Sequence, residues 1–236
     1  MLVAIATYNE RENLPSLVAA VRDASPDAKV VVVDDNSPDG TGTWCDEQAR
    51  QCDWLHVIHR SGKQGLGSAT WAAMQWAIAR RAEWLATLDA DWSHPPDALP
   101  RLVETQVRTG ADVVIGSRYC PGGIVDGWPL SRRLVSRAVN LATRAALGLP
   151  VRDASTAFRL YRVAALERLD FSLLRESGYA YLEEMLWRLR EQGATFAETP
   201  ITFTDRREGE SKVTAGEGLG KLRMLLRLGW RRLSRR

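Results

Sequence analysis

The stretch Trp84-Leu85-Ala86-Thr87-Leu88-Asp89-Ala90-Asp91-Trp92-Ser93-His94-Pro95-Pro96 joins an apolar run to two aspartates and a proline pair. The run from Trp84 to Asp89 is typical of a strand that is buried on both faces of a parallel sheet. The proline pair ends the regular structure. If the strand continues as far as Asp91, its two-residue period directs both carboxylates to the same side of the sheet.

Two carboxylates that point at one position repel each other unless a cation lies between them. Carboxylate oxygens are hard ligands, so Asp89 and Asp91 predict a divalent metal such as Mg²⁺ or Mn²⁺. The alternative is a capped turn in which both acids face solvent. The motif by itself allows either interpretation, and the remaining sequence favours the metal.

Similar apolar runs alternate with helix patterns through the first half of the chain. The predicted strands are Val3–Thr7, Val30–Asp34, Leu55–His59, Trp84–Asp89 and Asp112–Ser117. The predicted helices are Arg11–Asp23, Thr43–Gln51, Ser68–Arg81 and Pro96–Thr109. This order predicts an α/β fold with a doubly wound, mostly parallel sheet and helices on both faces.

The second half has a different pattern. Helices are predicted at Ser131–Leu147 and Tyr181–Gln192, strands at Phe158–Arg162 and around Thr195–Phe203, and a polar loop at Thr204–Gly216. Glu184 lies on the second of these helices, where either a site role or an ordinary salt bridge fits its position.

Polar residues follow the predicted strands, at the edge where ligands bind in such sheets. They are Thr7-Tyr8-Asn9-Glu10, Asp34-Asp35-Asn36-Ser37 and Asp89-Ala90-Asp91. The third strand leads into the loop Ser61–Gly67, in which Lys63 is either a solvated side chain or a phosphate ligand. Polar strand ends that converge on one edge are stronger evidence for a binding site than any one of them.

The composition is that of a globular protein, with 45% hydrophobic and 26% charged residues among 236. The strand-like segment Leu2–Thr7 follows Met1 directly, so we expect no signal peptide. No apolar run approaches the roughly 18 to 20 residues that span a bilayer. Cys45, Cys52 and Cys120 lack the spacing of a disulfide framework or zinc site, which predicts buried free thiols. Together these features predict a cytoplasmic protein.

The charge is unevenly distributed. Residues 217–236 carry seven Lys or Arg side chains and one Glu, a net charge of +6, which leaves −3 for residues 1–216 of a chain with a total of +3. This pattern argues against a nucleic-acid partner and for a local contact with an anionic surface.

The turns exclude several nucleotide-binding classes. No GxGxxG follows the first strand, where Tyr8-Asn9-Glu10-Arg11-Glu12 stands, which argues against a dinucleotide-binding Rossmann enzyme. Gly62-Lys63 lacks the spacing of a P-loop, and nothing resembles a nucleophile elbow.

Acidic strand ends with a metal suit a nucleotide-diphosphate substrate. Asp34 and Asp35 can accept hydrogen bonds from a base or ribose. A metal held by Asp89 and Asp91 can bridge the two phosphates and stabilise the departing diphosphate.

An ordered set of motifs between residues 3 and 214 resembles glycosyltransferase family 2, and within it the dolichol-phosphate (polyprenol-phosphate) mannose synthases. The set comprises Val3-Ala4-Ile5-Ala6-Thr7-Tyr8-Asn9-Glu10, Val33-Asp34-Asp35-Asn36-Ser37-Pro38-Asp39-Gly40-Thr41, Gly65-Leu66-Gly67, Asp89-Ala90-Asp91, Ser93-His94-Pro95, Gly116-Ser117-Arg118-Tyr119, Phe158-Arg159-Leu160-Tyr161 and Gly209-Glu210-Ser211-Lys212. The resemblance implies the GT-A fold. It also implies transfer of mannose from GDP-mannose to a polyprenyl (dolichyl-type) monophosphate, with inversion and with Mg²⁺ or Mn²⁺ as the cofactor.

The resemblance also implies a role for each matching residue. Nucleotide binding falls to Thr7, Tyr8, Asn9, Glu10, Asp34, Asp35, Lys63, Asp89 and Ala90. Asp89 and Asp91 are the metal ligands, with Ser93 as the third candidate at a position that varies between Gln and Ser in the family. Asp91 and Arg118 are the predicted catalytic residues. Arg118 would bind the lipid phosphate together with Arg132 and Arg133. Arg207 and Lys212 would close over the substrates.

One position departs from the family pattern. A glycine usually precedes the aromatic-Arg pair, whereas Ala157 stands before Phe158-Arg159 here. A close approach of the backbone at this point is therefore in question, and so is the preference for sugar or acceptor.

Residues 1–216 are predicted to be the catalytic domain, and 217–236 a basic amphipathic helix with a broad apolar face. This helix either contacts a membrane surface on the cytoplasmic side or packs on its own domain or a partner. Since no spanning segment is predicted, a lipid acceptor requires peripheral attachment or a separate membrane subunit.

Two alternatives to the mannosyltransferase remain open. One is a related enzyme such as a polyprenyl-phosphate glucosyltransferase that uses UDP-glucose. The other is a non-catalytic membrane-surface module that retains the fold but binds neither nucleotide nor metal.

Overall fold

The computed structural model of the chain describes residues 1–205 and 215–234. Its strands are β1 (Leu2–Thr7), β2 (Lys29–Asp34), β3 (Leu55–His59), β4 (Trp84–Asp89), β5 (Val113–Ser117), β6 (Ile124–Asp126), β7 (Arg159–Arg162), β8 (Phe196–Pro200) and β9 (Thr202–Thr204). Its α-helices are α1 (Leu14–Ala24), α2 (Thr41–Gln51), α3 (Leu66–Ala79), α4 (Leu99–Thr109), α5 (Leu130–Leu147), α6 (Val163–Glu167), α7 (Tyr181–Glu191) and α8 (Ala215–Leu233).

The central sheet has the strand order β3-β2-β1-β4-β7-β5-β8. Strand β1 pairs in parallel with β2 and β4, and β3 extends this parallel half. Strand β7 runs antiparallel between β4 and β5, and β8 is parallel to β5. The predicted mostly parallel sheet is confirmed, but the antiparallel strand at its centre was not predicted.

Alternate residues of each strand are buried on opposite faces of the sheet. In β2, Val31 and Val33 join an apolar cluster with Met74 of α3, whereas Val30 and Val32 join a second cluster with α1. Helices therefore cover both faces, which explains why the strands are apolar without alternation.

The ends of strands and helices agree with the prediction where a turn or helix-ending residue lies next to them in the sequence. Strands β3 and β4 have the predicted bounds, and Gly110 ends α4 in the left-handed region at φ 68°. The predicted helix Pro96–Thr109 instead begins with a 3-10 turn at Pro96–Ala98. Pro100 has no N–H to donate to the preceding turn, so the α-helix starts only at Leu99.

The remaining sequence expectations about the core are mostly confirmed. Cys45 and Cys120 are buried free thiols, whereas Cys52 is only half-buried because it lies just beyond the end of α2. Among the described residues, no helix combines the length and apolar character that a membrane span requires.

Helix α8 has two apolar faces rather than the single broad face that its sequence predicts. Met224 and Leu228 are 1% and 0% exposed and belong to the core cluster on the α3 side of the sheet. Leu222, Leu226 and Trp230 are 53%, 67% and 72% exposed. One face thus packs on the core beside the central sheet and the other faces outwards. The division of the chain at residue 216 stays a prediction.

Candidate active site

A cavity of about 380 Å³ opens at the carboxyl ends of β1 and β4. The chain runs from β1 to β2 and β3 on one side and places β4 on the other, so the strand order reverses at this point. Such a reversal is the usual ligand site of an open α/β sheet. The turns after β1, β2 and β4 supply Glu10, Asp35, Asp89 and Asp91 to the lining of the cavity, and we call this set the acidic side. Arg118 after β5 and Arg132 on α5 supply what we call the basic side.

The turns that follow three of the strands hold non-glycine residues in the left-handed region. Asn9 follows β1 at φ 59°, Asn36 follows β2 at φ 58°, and Trp92 follows β4 at φ 62°. Asparagine tolerates this conformation, but a large residue such as Trp92 adopts it only when the surroundings impose it. The surroundings therefore hold the turn at Trp92 in place, at the same edge of the sheet as the cavity.

The two central aspartates reach the cavity by a different route from the predicted one. Strand β4 ends at Asp89, and Ala90 and Asp91 form a turn, so the two carboxylates do not share a strand face. Asp91 accepts hydrogen bonds from the amide of Ser93 at 3.1 Å and from its hydroxyl at 2.6 Å. This local bonding pulls Asp91 out of the strand, yet both aspartates line the cavity.

His94 holds the end of β4 from inside the protein, a role that the sequence did not reveal. It is 1% exposed, and burial lowers its pKa to about 4, so the ring is neutral at pH 7. The amide of Asp89 donates to Nδ1 at 3.2 Å, and Nε2 lies 3.3 Å from the hydroxyl of Thr156. Since Nδ1 accepts a hydrogen bond, the ring proton is on Nε2, which donates to Thr156.

The residues predicted to bind a nucleotide fall into two groups. Those that line the cavity are Thr7, Tyr8, Glu10, Asp35, Lys63, Asp89 and Ala90. Asp34 is 2% exposed and instead accepts hydrogen bonds from Thr7 and from the amide and hydroxyl of Ser37. Asn9 is exposed, and its backbone N–H donates a hydrogen bond to the hydroxyl of Ser37. Asp34 and Asn9 thus shape the turn behind the cavity rather than its wall.

Lys63 and Asp35 face the cavity from neighbouring loops. The Nζ of Lys63 lies 5.0 Å from the centre of the Tyr8 ring, close enough for a cation–π contact. Asp35 forms an ion pair of 2.8 Å with Arg60. Burial raises the pKa of Asp35 above its usual value, although Arg60 opposes the shift.

Arg118 is anchored by an aspartate that the sequence analysis did not identify. Its Nε and Nη2 bind Asp153 at 2.7 and 2.8 Å, and Nη2 also donates to Ser155 at 2.8 Å. Arg118 is 6% exposed and Asp153 is 0% exposed. Burial alone would raise the pKa of Asp153, but Arg118 outweighs it and holds that pKa below the usual range. These contacts use Nε and Nη2 and orient the guanidinium towards the cavity.

The other predicted basic residues lie in different places. Arg132 lines the cavity, pairs with Asp205 at 3.1 Å and stacks on Trp128 at 3.9 Å. Arg133 does not line it and instead donates to the carbonyl of Trp128 at 2.9 Å. The structure therefore brings Arg132 and Arg118 together. Two further candidates, Arg207 and Lys212, lie outside the described residues.

Ala157 lies in the cavity wall and its backbone is firmly held. It is 6% exposed and packs with Tyr181 and Leu182. Its carbonyl accepts a hydrogen bond of 2.5 Å from the hydroxyl of Thr87 on β4. The alanine methyl group thus occupies space beside the cavity that a glycine would leave open.

The sequence pattern of Glycosyl transferase family 2 matches residues 2–170. The chain is 45% identical over 216 residues to the undecaprenyl-phosphate mannosyltransferase of Micrococcus luteus, covering 92% of this chain and 88% of that protein. It is also 45% identical over 214 residues to the polyprenol monophosphomannose synthase of Mycolicibacterium smegmatis, covering 90% of this chain and 80% of that protein.

The fold is also similar to that of solved glycosyltransferases. A mannosyltransferase from Pyrobaculum calidifontis, solved in complex with GDP-Man and Mn²⁺, has a TM-score of 0.60 and 18% identity, covering 100% of this chain and 64% of that one. At this identity the likeness shows the fold alone. Together with the family match, it confirms the expected GT-A fold. The chain belongs to glycosyl transferase family 2.

Proposed function

We propose that this protein transfers mannose from GDP-mannose to a polyprenyl monophosphate, with inversion at the anomeric carbon. The observation that carries the proposal is a single cavity that joins an acidic side to a basic side. The names of the two relatives at 45% identity support the sugar and the lipid class. The acidic side suits a sugar nucleotide with its metal, and the basic side suits an anionic acceptor.

The acidic side fits a divalent cation that is bound together with a diphosphate. Residues 1–205 and 215–234 contain no group of three or more His, Cys, Asp or Glu side chains arranged around a metal site. Mg²⁺ usually takes only one or two carboxylates and completes its shell with substrate phosphates and water, so Asp89 and Asp91 suffice. When bound, Mg²⁺ or Mn²⁺ supplies charge stabilisation to the leaving diphosphate. Ser93 serves to orient Asp91, since both its donors are directed at that carboxylate.

The nucleotide lies against the turns that follow β1 and β2. Tyr8 and Asp35 offer an aromatic surface and a hydrogen-bond acceptor, and Lys63 is placed to contact a phosphate oxygen. Asp34 supports these turns through Thr7 and Ser37. The neutral, buried His94 keeps the amide of Asp89 in place.

The basic side fits a phosphate monoester. Asp153 holds Nε and Nη2 of Arg118. The remaining Nη1 of Arg118 and the guanidinium of Arg132 bind the oxygens of the acceptor phosphate. A phosphate is already ionised at pH 7, so the reaction requires no general base. One phosphate oxygen attacks C1 of mannose, the bond from C1 to the GDP oxygen breaks, and GDP leaves. The arginines contribute by orienting that oxygen opposite the leaving group.

A donor screen tests this function. The protein is incubated with a polyprenyl phosphate, Mg²⁺ or Mn²⁺, and GDP-mannose or UDP-glucose, and the glycolipid is measured. We expect product from GDP-mannose, whereas faster transfer from UDP-glucose would replace mannose as the sugar. Chelation should remove both turnover and nucleotide binding. A chain that binds no nucleotide under any of these conditions is the non-catalytic module.

We also propose that α5 and α8 rest on the cytoplasmic face of a membrane, where the lipid tail of the acceptor stays. Among the side chains of these two helices that the structure describes, the exposed large apolar ones are Leu130, Leu134, Val135, Leu141, Leu222, Leu226, Trp230 and Leu233. On α8 they recur every three or four residues and so form one stripe. Arg231, which follows Trp230 on α8, adds attraction to anionic lipids, about 1 kcal/mol near the surface.

Flotation with vesicles that contain anionic lipid tests the membrane contact. We expect Leu226→Ser with Trp230→Ser to reduce binding at low and at high salt, because salt screens the attraction of the basic residues and not that of the apolar stripe. Val107→Ser is the matched control, because Val107 is 74% exposed on α4, away from this stripe. Equal binding of both variants would refute the contact and favour a separate membrane subunit.

A further inference from the structure

Two buried glutamates on α7 form ion pairs with basic residues of α8. Glu183 and Glu184 are 1% and 0% exposed. Lys221 forms an ion pair with Glu183 at 2.5 Å, and Arg227 contacts Glu184 at 3.3 Å. A buried carboxylate is unfavourable unless it is paired and hydrogen-bonded, so α8 supplies charges that α7 needs.

Glu184 also anchors the segment 175–180, which precedes α7. Its Oε2 accepts hydrogen bonds from the backbone amides of Arg175 and Glu176, both at 2.9 Å. Its Oε1 accepts hydrogen bonds from Nη2 of Arg188 and from Nη2 of Arg227, both at 3.3 Å. One oxygen thus holds the backbone of the segment, while the other receives the positive charges that make the buried anion tolerable.

Arg227 ties the segment to α8 a second time. Its Nη2 lies 3.0 Å from Glu176 and 3.3 Å from Glu184, so one nitrogen bridges two carboxylates. The side chain of Arg227 is 28% exposed and that of Glu176 is 20% exposed. Because both contacts use the same nitrogen, they depend on its position and charge rather than on the fork of the guanidinium.

The anchored segment forms part of the cavity wall. Gly178 and Tyr179 line the cavity, as does Gly65 on the neighbouring loop. The carbonyl of Ser177 accepts the amide of Gly67 at 2.8 Å, and a Cβ on Gly65 would collide with that carbonyl. A displacement of the segment would therefore move the wall of the cavity beside the Gly65 loop.

We propose that Arg227 is a positioning residue for the active site: it fixes Glu176 and Glu184 and thereby holds the 177–179 wall in its binding geometry. The proposal adds to the proposed function a coupling between α8, the helix with the outward apolar stripe, and the donor cavity. A change in the position of α8 is transmitted to the segment 175–180, and so to the cavity wall, through the Nη2 of Arg227.

The test compares four proteins in the absence of vesicles: the wild type, Arg227→Met, Arg227→Lys and Arg223→Met. Arg223 lies on the same helix and is exposed, so Arg223→Met removes the same charge away from the bridge. We expect Arg227→Met to raise KM for GDP-mannose roughly tenfold with a smaller change in kcat, since apparent affinity falls with the competent fraction. Arg227→Lys should restore KM, and Arg223→Met should leave it unchanged.

Hydrogen exchange of the 175–179 amides gives a readout that does not depend on the donor. We expect faster exchange in Arg227→Met than in Arg223→Met. Equal exchange in these two variants, or equal KM values in an enzyme that binds GDP-mannose, would overturn the proposal. If the wild type binds no sugar nucleotide, the proposed function fails, and exchange alone decides the coupling. Should Arg227→Met not fold, Glu176→Gln is the substitute, with the same direction expected at smaller amplitude.

Discussion

Asp91 on the acidic side and Arg118 on the basic side are held by contacts of very different range along the chain. Asp91 is bound by Ser93, two residues away. On the basic side, Arg118 is bound by Asp153, 35 residues away. The turn that holds Asp91 is local, whereas the position of Arg118 depends on the tertiary structure, as does that of Asp35, which pairs with Arg60 25 residues away. Substitutions on the acidic side should therefore alter chemistry, and substitutions on the basic side should alter stability as well.

The largest effect is expected from Asp91→Ala. Loss of a metal ligand removes several kcal/mol of charge stabilisation, so transfer should fall about 1000-fold or more while the fold persists. The measurement is the rate of glycolipid formation together with thermal unfolding. Asp97→Ala is the control, since Asp97 is exposed in the adjacent 3-10 turn. Turnover near that of the wild type would remove the metal from the acidic side.

On the basic side, Asp153→Asn should lower the free energy of unfolding by about 3 kcal/mol, because Arg118 is left buried without its counter-ion. Denaturant unfolding at pH 7 measures the loss. Asp205→Asn breaks an ion pair whose partners are 41% and 37% exposed, and it should cost less than about 1 kcal/mol. Equal losses in the two variants would contradict the comparison.

The pH dependence of the same variant follows from the sign of the shift. The pKa of Asp153 is lower in the folded protein than in the unfolded chain. Its stabilisation is therefore fully present above the unfolded value of about 3.9 and is lost as the pH falls through the lower folded value. The stability difference between the wild type and Asp153→Asn should thus be constant near neutral pH and shrink only in strong acid.

The same contrast explains what could be predicted from the sequence. The bounds of β3 and β4 and the polar strand ends depend on apolar runs and turn residues that are adjacent in the chain. The pairing of Asp153 with Arg118, the contact of His94 with Thr156 and the position of β7 between β4 and β5 join distant segments. No local pattern specifies such partners, so they became visible only in the structure.

Helix α8 illustrates the same limit. Its sequence shows apolar residues at adjacent positions, such as Leu225 and Leu226, which predicts one broad face. In the structure, Leu225 is partly buried against the core, whereas Leu226 is exposed. Periodicity identifies the helix, but the partner surface decides which apolar residues are buried.

A moderate effect is expected at Lys63, on the acidic side. Loss of one charge-assisted hydrogen bond to a phosphate costs about 1.5 kcal/mol, so Lys63→Met should weaken donor binding roughly tenfold. Calorimetric titration with GDP-mannose and Mn²⁺ measures this. Lys29→Met removes the same charge from the opposite, amino-terminal end of β2 and should have no effect. Binding equal to that of the control would make Lys63 a solvated loop residue.

The smallest effect is expected at Ala157, in the wall of the cavity. Ala157→Gly restores the residue that is usual in the family and should lower stability by about 0.4–1 kcal/mol, because glycine gives the unfolded chain more freedom. The hydrogen bond from Thr87 to the carbonyl of residue 157 does not depend on the side chain, so the backbone should stay in place. Donor KM and transfer rate should consequently change by less than about threefold, which corresponds to about 0.7 kcal/mol. A larger shift, or a switch from GDP-mannose to UDP-glucose, would show that the Ala157 methyl group selects the sugar. Sugar specificity would then depend on a single residue of the cavity wall and not only on the charged residues of its two sides.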